Sequence, residues 1–327
     1  MQTVLVIIAL ALFFDFLNGF HDSANSIATV VTTRVLTPRQ AVLMAAIANF
    51  ISAFVFTTAV AATIGKGIVQ PFAISSGTIL AGLAGASIWN IITWYLGLPT
   101  SSSHALIGGL IGATLIRSGI KALILQGIIK AFTFIFIAPI LGMLGAIIFT
   151  IVILLVVKNR SNTKLNKLFA KLQIVSSFAY SLGHGTNDAQ KTMGIISLTL
   201  FSNHLLGENF YVPTWVILSS HAAIALGTYF GGWRIVKTMG TKLIHLRPFE
   251  GFCAETSSAL TLFSTALVGI PVSTTHVIAG SIVGVGTVEN YKRVRWITTR
   301  SILQAWLITI PITMIFGALF SFLFFNL

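Results

Sequence analysis

Apolar stretches long enough to cross a lipid bilayer recur from one end of this chain to the other. This pattern restricts the fold more than any single motif, because a segment in lipid must satisfy its own backbone hydrogen bonds, as an α-helix does. Composition agrees, with 55% hydrophobic and 8% charged residues over 327 positions and a mean hydropathy of +0.93. A secretory signal would be one short run followed by a polar remainder. Here the first run is read as a membrane span like the others, and the fold class expected is an all-α polytopic membrane protein.

Two pairs of polar motifs interrupt the runs in the same order. Asn18-Gly19-Phe20-His21-Asp22-Ser23-Ala24-Asn25 is matched by His184-Gly185-Thr186-Asn187-Asp188-Ala189-Gln190-Lys191, with the aspartates 166 positions apart. Pro99-Thr100-Ser101-Ser102-Ser103-His104 is matched by Pro271-Val272-Ser273-Thr274-Thr275-His276, with the prolines 172 apart. Nearly one offset for both pairs indicates an internal duplication. Apolar segments fall near 3–20, 40–64, 77–98, 103–116 and 128–157, and again near 172–188, 212–233, 251–270, 274–288 and 297–325. The division expected is a first repeat at 1–157, a basic cytoplasmic amphipathic linker at 158–171 and a second repeat at 172–327. The first and fourth segments of each half are short or polar-interrupted, which predicts broken or re-entrant helices meeting at the midplane.

About five crossings per half, an odd number, would set the halves upside down relative to one another. With both termini extracytoplasmic, the inner loops hold fifteen cations: Arg34, Arg39, and the groups Lys158–Lys171, Arg234–Arg247 and Lys292–Arg300. Lys66, Arg117, Lys121 and Lys130 remain outside, with Lys191 set aside as part of a motif. The positive-inside rule favours this orientation. The matched loops at 65–76 and 234–250 carry one and four cations, as inversion requires. The net charge of +13 is therefore read as topology, not as a nucleic-acid face. The single cysteine, Cys253, permits neither an internal disulfide nor a thiolate cluster.

Asp15, Asp22 and Asp188 lie in or beside apolar segments, where a carboxylate costs at least about 2.5 kcal/mol and is normally paired or functional. Asp15 has no acidic counterpart in the second half. Gly19 and Gly185, followed by residues that compete for backbone hydrogen bonds, predict helix breaks. Free amides at such breaks suit an anion inside a membrane. The pairs Asn18/His184 and Asn25/Lys191 add polar groups nearby. Each Pro-x-Ser-x-x-His block starts a helix with hydroxyls beside its unsatisfied amides, a combination that can wrap a tetrahedral oxyanion. Asp22 and Asp188 are the expected coupling acids, taking up a proton or Na⁺ together with the anion. A carboxylate also accepts a hydrogen bond from a protonated phosphate oxygen, which sulfate lacks near neutral pH.

These four motifs resemble the inorganic phosphate transporter (PiT) family over essentially the whole chain. The resemblance implies symport of inorganic phosphate with a cation, a homodimer in the cell membrane, no cofactor and no resident metal. It points to Asn25, Ser101, Ser102, Ser103, Asn187, Ser273, Thr274 and Thr275 as substrate-binding residues, beside Asp22 and Asp188. Asn18, His21, His184, Gln190, Lys191, His104 and His276 are possible supporting groups. The Na⁺-type pattern repeats Asn-Asp-x-x-Asn in both halves, whereas here His21 replaces the first Asn, and Gln190 and Lys191 appear in the second half. The chain looks instead like the bacterial low-affinity permease subgroup, associated with protons and metal-phosphate complexes, and Lys191 is expected to occupy a cation position. Na⁺-coupled phosphate symport and sulfate transport are the alternatives on this fold. A channel would expose a continuous polar stripe, and an enzyme would need a carboxylate orienting His104 or His276. Neither pattern is present.

Overall fold

The computed structural model describes residues 1–55, 57–70, 73–158 and 162–324. Within these the chain is helical, with one isolated antiparallel bridge, Val69–Leu123. The first half comprises α1 (Gln2–Thr32), α2 (Pro38–Ile51), α3 (Ala59–Gly67), α4 (Ser76–Leu96), α5 (Ser102–Ser118) and α6 (Leu125–Val157). The second comprises α7 (Asn162–Ser202), α8 (Thr214–Phe230), α9 (Trp233–Lys237), α10 (Pro248–Leu267), α11 (Thr274–Asn290) and α12 (Trp296–Leu323). Among the described residues four helices, α1, α4, α6 and α12, are long and apolar enough to cross a membrane. Arg160 and the side chain of Lys66 lie outside the described set, and residues 164–171 form early turns of α7.

The expected breaks at Gly19 and Gly185 do not occur. Both Asp motifs sit inside continuous helices, α1 of 31 residues and α7 of 41. The glycines serve helix crossing instead. A Cβ on Gly19 would stand 2.1 Å from the Ile224 carbonyl oxygen of α8, and one on Gly185 would stand 2.8 Å from Asn49 Cα of α2. Small residues admit such close backbone approach between membrane helices. The polar side chains beside them bond to other elements and do not unwind their own helix. The segment at 40–64, by contrast, is divided into α2, a 3₁₀ turn at Ser52–Phe54 and α3.

The short fourth segments are as expected: α5 and α11 have 17 residues each. Each follows a longer helix through a tight turn closed by glycine, Gly97 at φ +66° and Gly269 at φ +66°, 172 positions apart. The amides of Gly97 and Leu98 bond back to Trp94 and Thr93 carbonyls, and those of Gly269 and Ile270 to Ala266 and Thr265. This is the left-handed helix ending that glycine adopts without Cβ strain. Residues leading into the next helix, Pro99, Thr100 and Ser101 in one hairpin, Val272 and Ser273 in the other, are buried.

Packing is exchanged between the halves. α5 lies against α12, and α11 lies against α6. A Cβ on Gly112 of α5 would meet the Met314 carbonyl oxygen at 1.9 Å, and one on its counterpart Gly284 of α11 would meet that of Met143 at 2.5 Å. Pro139 in α6 and Pro311 in α12 are likewise 172 positions apart, each inside its helix. α1 additionally packs on α8, and α7 on α2 and α10. These contacts bring the two Asp motifs and the two hairpin tips together.

Candidate functional site

The hydroxyls of each tip divide into two roles. Ser101 Oγ accepts from the His104 amide at 3.3 Å, and Ser273 Oγ from the His276 amide at 3.3 Å, so these two cap α5 and α11. The next two positions of each tip turn toward α1 and α7. Ser102 Oγ donates to Asn18 Oδ1 at 2.7 Å and approaches Asp22 Oδ2 at 3.5 Å. Its counterpart, Thr274, donates to Asp188 Oδ2 at 2.9 Å.

The third position crosses between halves. Asn25 Nδ2 donates to Thr275 Oγ1 at 2.9 Å. The matching pair, with both numbers shifted by the repeat offsets, is Lys191 Nζ donating to Ser103 Oγ. Thr275 also reaches Asp22 Oδ1 at 3.4 Å and the Thr100 carbonyl at 3.2 Å. The two interactions are equivalent in place and unequal in charge: a neutral amide on one side, an ammonium on the other.

All of these groups are buried. Lys191 Nζ is held by Asp188 Oδ1, Ser103 Oγ and, at 3.2 Å, the Val272 carbonyl. His184 Nε2 stands 3.2 Å from Asp188 Oδ2, while its Nδ1 contacts Asn49 Oδ1 at 3.1 Å. In the first half His21 Nδ1 contacts Asp22 Oδ1 at 2.7 Å, and His21 Nε2 contacts Thr93 Oγ1 at 3.1 Å. Carboxylates in a dry interior need such partners. No metal was expected here, yet Asp22, His184 and Asp188 present ligand atoms within 4.8 Å of one another. The Lys191 ammonium already supplies a positive charge to that group.

Other expected residues lie apart from this cluster. Asn187 donates to the Gly183 and Leu262 carbonyls at 2.9 and 3.1 Å, tying α7 to α10. Gln190 accepts from the amides of Val60 and Ala61 at 2.9 and 3.1 Å and donates to the Thr57 carbonyl, so it caps α3. His104 and His276 meet with ring centroids 4.9 Å apart, and His276 stacks on Trp306 at 3.8 Å. Trp306 Nε1 in turn donates to the Pro99 carbonyl at 2.9 Å, joining α12 to the first tip.

Several buried polar residues carry no signal in the motifs. Thr93 links His21 to Thr100. Asn49 bridges His184 to Thr228. Glu255 accepts from Thr29 and Ser176 at 2.5 Å each and from Gln173 at 3.2 Å, joining α1, α7 and α10. The clue to Glu255 in the sequence is an acid within the apolar run at 251–270. Thr93 and Asn49 resemble any polar residue in a span.

The arrangement offers two helix N-termini, four hydroxyls and one fixed cation around two carboxylates. Among the described residues of the two Asp motifs and the two tips, the helix N-termini are those of the tips, because α1 and α7 are unbroken, so the four breaks expected reduce to two. Hydroxyls and amides of this kind bind an oxyanion without a net opposing charge.

Comparison with known proteins agrees. Residues 18–317 match the phosphate transporter family. The chain is 51% identical over 316 residues to a "Probable low-affinity inorganic phosphate transporter" of Rhizobium meliloti (strain 1021), covering 97% of this chain and 95% of that one. It is 45% identical over 324 residues to the protein so described in Bacillus subtilis (strain 168), covering 98% and 96%. A solved structure, "The sodium-dependent phosphate transporter", aligns over 100% of both chains with a TM-score of 0.89 at 25% identity. The duplicated motifs, the helical membrane fold and these likenesses together make the chain a member of the phosphate transporter family.

Proposed function

We propose that this protein imports inorganic phosphate by symport with protons, as the free anion or its metal complex. The observation that carries the coupling ion is the Lys191 ammonium, bounded by the Asp188 carboxylate, the Ser103 hydroxyl and the Val272 carbonyl. A carboxylate, a hydroxyl and a carbonyl are the oxygen set a hard cation such as Na⁺ would take. A covalently attached charge in that place cannot travel with the substrate, so in this reading an exchangeable Na⁺ loses its seat and the coupled charge is a proton. The related sodium-dependent transporter is 25% identical overall, which leaves room for this difference.

In this reading Ser102, Ser103, Thr274 and Thr275, with the first amides of α5 and α11, receive the phosphate. Their present partners, Asn18, Lys191, Asp188 and Asn25, lie on α1 and α7. Phosphate exchanges one set of hydrogen bonds for another as the tips and the long helices separate. Asp22 and Asp188 form the charged frame, and Lys191 offsets the incoming anion. The halves are placed in inverted orientation, with both termini outside the cell membrane and a homodimer as the assembly. The distribution of loop cations supports the orientation, and the exchanged pairing of α5 with α12 and α11 with α6 supports the duplication.

Uptake of labelled phosphate into proteoliposomes tests the reading. Accumulation driven by an inward proton gradient, unaffected by Na⁺ and weakly competed by sulfate, is the expected result. Accumulation under a Na⁺ gradient alone, or of sulfate in preference to phosphate, overturns it.

A further inference from the structure

Asp15 is 0% exposed on α1, and neither of its carboxylate oxygens has a hydrogen-bond partner among the described residues. It lies seven residues, two helical turns, before Asp22, and so on the same face of the helix. The two acids are treated very differently. Asp22 has His21, Ser102 and Thr275 around it, and Asp188 has Lys191, Thr274 and His184. The polar side chains that bear on Asp15 among the described residues include Thr192 and Asn18. The Thr192 hydroxyl and the Asn18 Nδ2 are themselves without partners.

An ionised carboxylate buried without a partner costs several kcal/mol, whereas the neutral acid costs far less. The neutral form of Asp15 avoids that cost. The charges that bear on it are Asp188 and Lys191 of α7. α4, also packed on α1, contains no Asp, Glu, Lys, Arg or His. On α8, His221 turns Nδ1 to its own Ile217 carbonyl, and Tyr229 is exposed. Glu255 of α10 is held by Thr29, Gln173 and Ser176, and His276 of α11 is stacked on Trp306. Arg39 of α2 is exposed, as are Arg234 and Lys237 of α9.

We propose that Asp15 carries the coupled proton, while Asp22 and Asp188 remain the charged frame of the phosphate site. This rests on the proton-symport reading. The O–H bond forms at an Asp15 carboxylate oxygen with a proton from water on the outer side, and it breaks to water on the inner side. Between these events the neutral acid leaves Lys191 with Asp188 and Ser103. Once deprotonated, Asp15 competes with Asp188 for the same ammonium and draws it from the Ser103 hydroxyl. Proton release and withdrawal of the charge that offsets the bound phosphate then become one event.

The test uses purified protein in proteoliposomes and the variants Asp15→Asn and Asp15→Glu. For wild type, one pH unit of inward gradient supports about tenfold phosphate accumulation for each proton carried. Asp15→Asn is expected to abolish that accumulation while still exchanging labelled for unlabelled phosphate in counterflow, and Asp15→Glu is expected to restore accumulation. Proton-driven accumulation by Asp15→Asn at the wild-type level overturns the assignment of Asp15 and leaves proton symport standing. Loss of counterflow together with accumulation also overturns it, because Asp15 would then serve phosphate binding. If Asp15→Asn does not insert, the pH midpoint of uptake by Asp15→Glu decides: a shifted midpoint supports the role, and an unshifted one removes it. Failure of wild type under a pH gradient, with response to Na⁺, is a different result and defeats the proton reading itself.

Discussion

Lys191 and Asp188 stand one turn apart on α7 and meet as ammonium and carboxylate where neither touches solvent. Breaking a buried pair by removing one member costs about 3–5 kcal/mol, because the other charge is left uncompensated. Lys191→Met should therefore lower the thermal midpoint of the purified protein sharply. Lys191→Met combined with Asp188→Asn should recover most of it. Scanning fluorimetry of the three proteins in one detergent measures this, and equal midpoints for the single and double variants would contradict the pairing.

Asn25 and Thr275 form the neutral counterpart of the Lys191–Ser103 contact. Asn25→Ala and Thr275→Val should each weaken phosphate uptake, seen mainly as a raised KM. A neutral hydrogen bond contributes about 1 kcal/mol. A double-mutant cycle on kcat/KM should show coupling of that order, and strictly additive losses would mean that the two side chains do not act together.

The repeated motifs make part of this site legible in the sequence, and the reason is physical. A duplicated sequence inside lipid leaves few explanations for a paired Asp or a paired run of hydroxyls. The contacts Ser102–Asp22 and Thr274–Asp188, like Asn25–Thr275 and Lys191–Ser103, follow the two offsets of the sequence. Gly19 and Gly185 signal helix breaks that the fold does not contain, because glycine beside polar residues has the same local signature whether it ends a helix or admits a neighbour. Only the position of Ile224 and Asn49 distinguishes these cases. Gln190 sits in the motif for a third reason, to cap α3, and nothing near it in sequence indicates that the amides of Val60 and Ala61 are its partners.

Close helix crossing gives a prediction for Gly112 and Gly284. A Cβ at either would fall 1.9 or 2.5 Å from a carbonyl oxygen of the opposing helix. Alanine at either position should destabilise the protein by about 1–3 kcal/mol through forced backbone shifts. Thermal melts compare these with Ala substitution at Gly67, whose nearest Cβ contact would be an ordinary 3.8 Å. Equal stability in the three variants would argue against tight packing of α5 and α11.

Glu255 accepts three hydrogen bonds that connect α1, α7 and α10. Glu255→Gln preserves the side-chain shape and loses part of this, whereas Glu255→Leu strands three buried donors. Each unmet buried group costs about 1–3 kcal/mol. The leucine variant should therefore melt well below the glutamine variant, and the reverse order would show that the cluster is not held by its acceptors.

The exchanged packing has a consequence for synthesis. α5 ends at Ser118, but α12, against which it lies, begins at Trp296. At ribosomal rates of about 5–20 residues per second, about 9–36 s pass before that partner is made. During this interval a glycine-lined helix carrying a hydroxyl-rich tip waits in the bilayer without its mate. Until then its native neighbour is α4, and a stalled nascent chain released after α6 should be a substrate for membrane quality-control proteolysis.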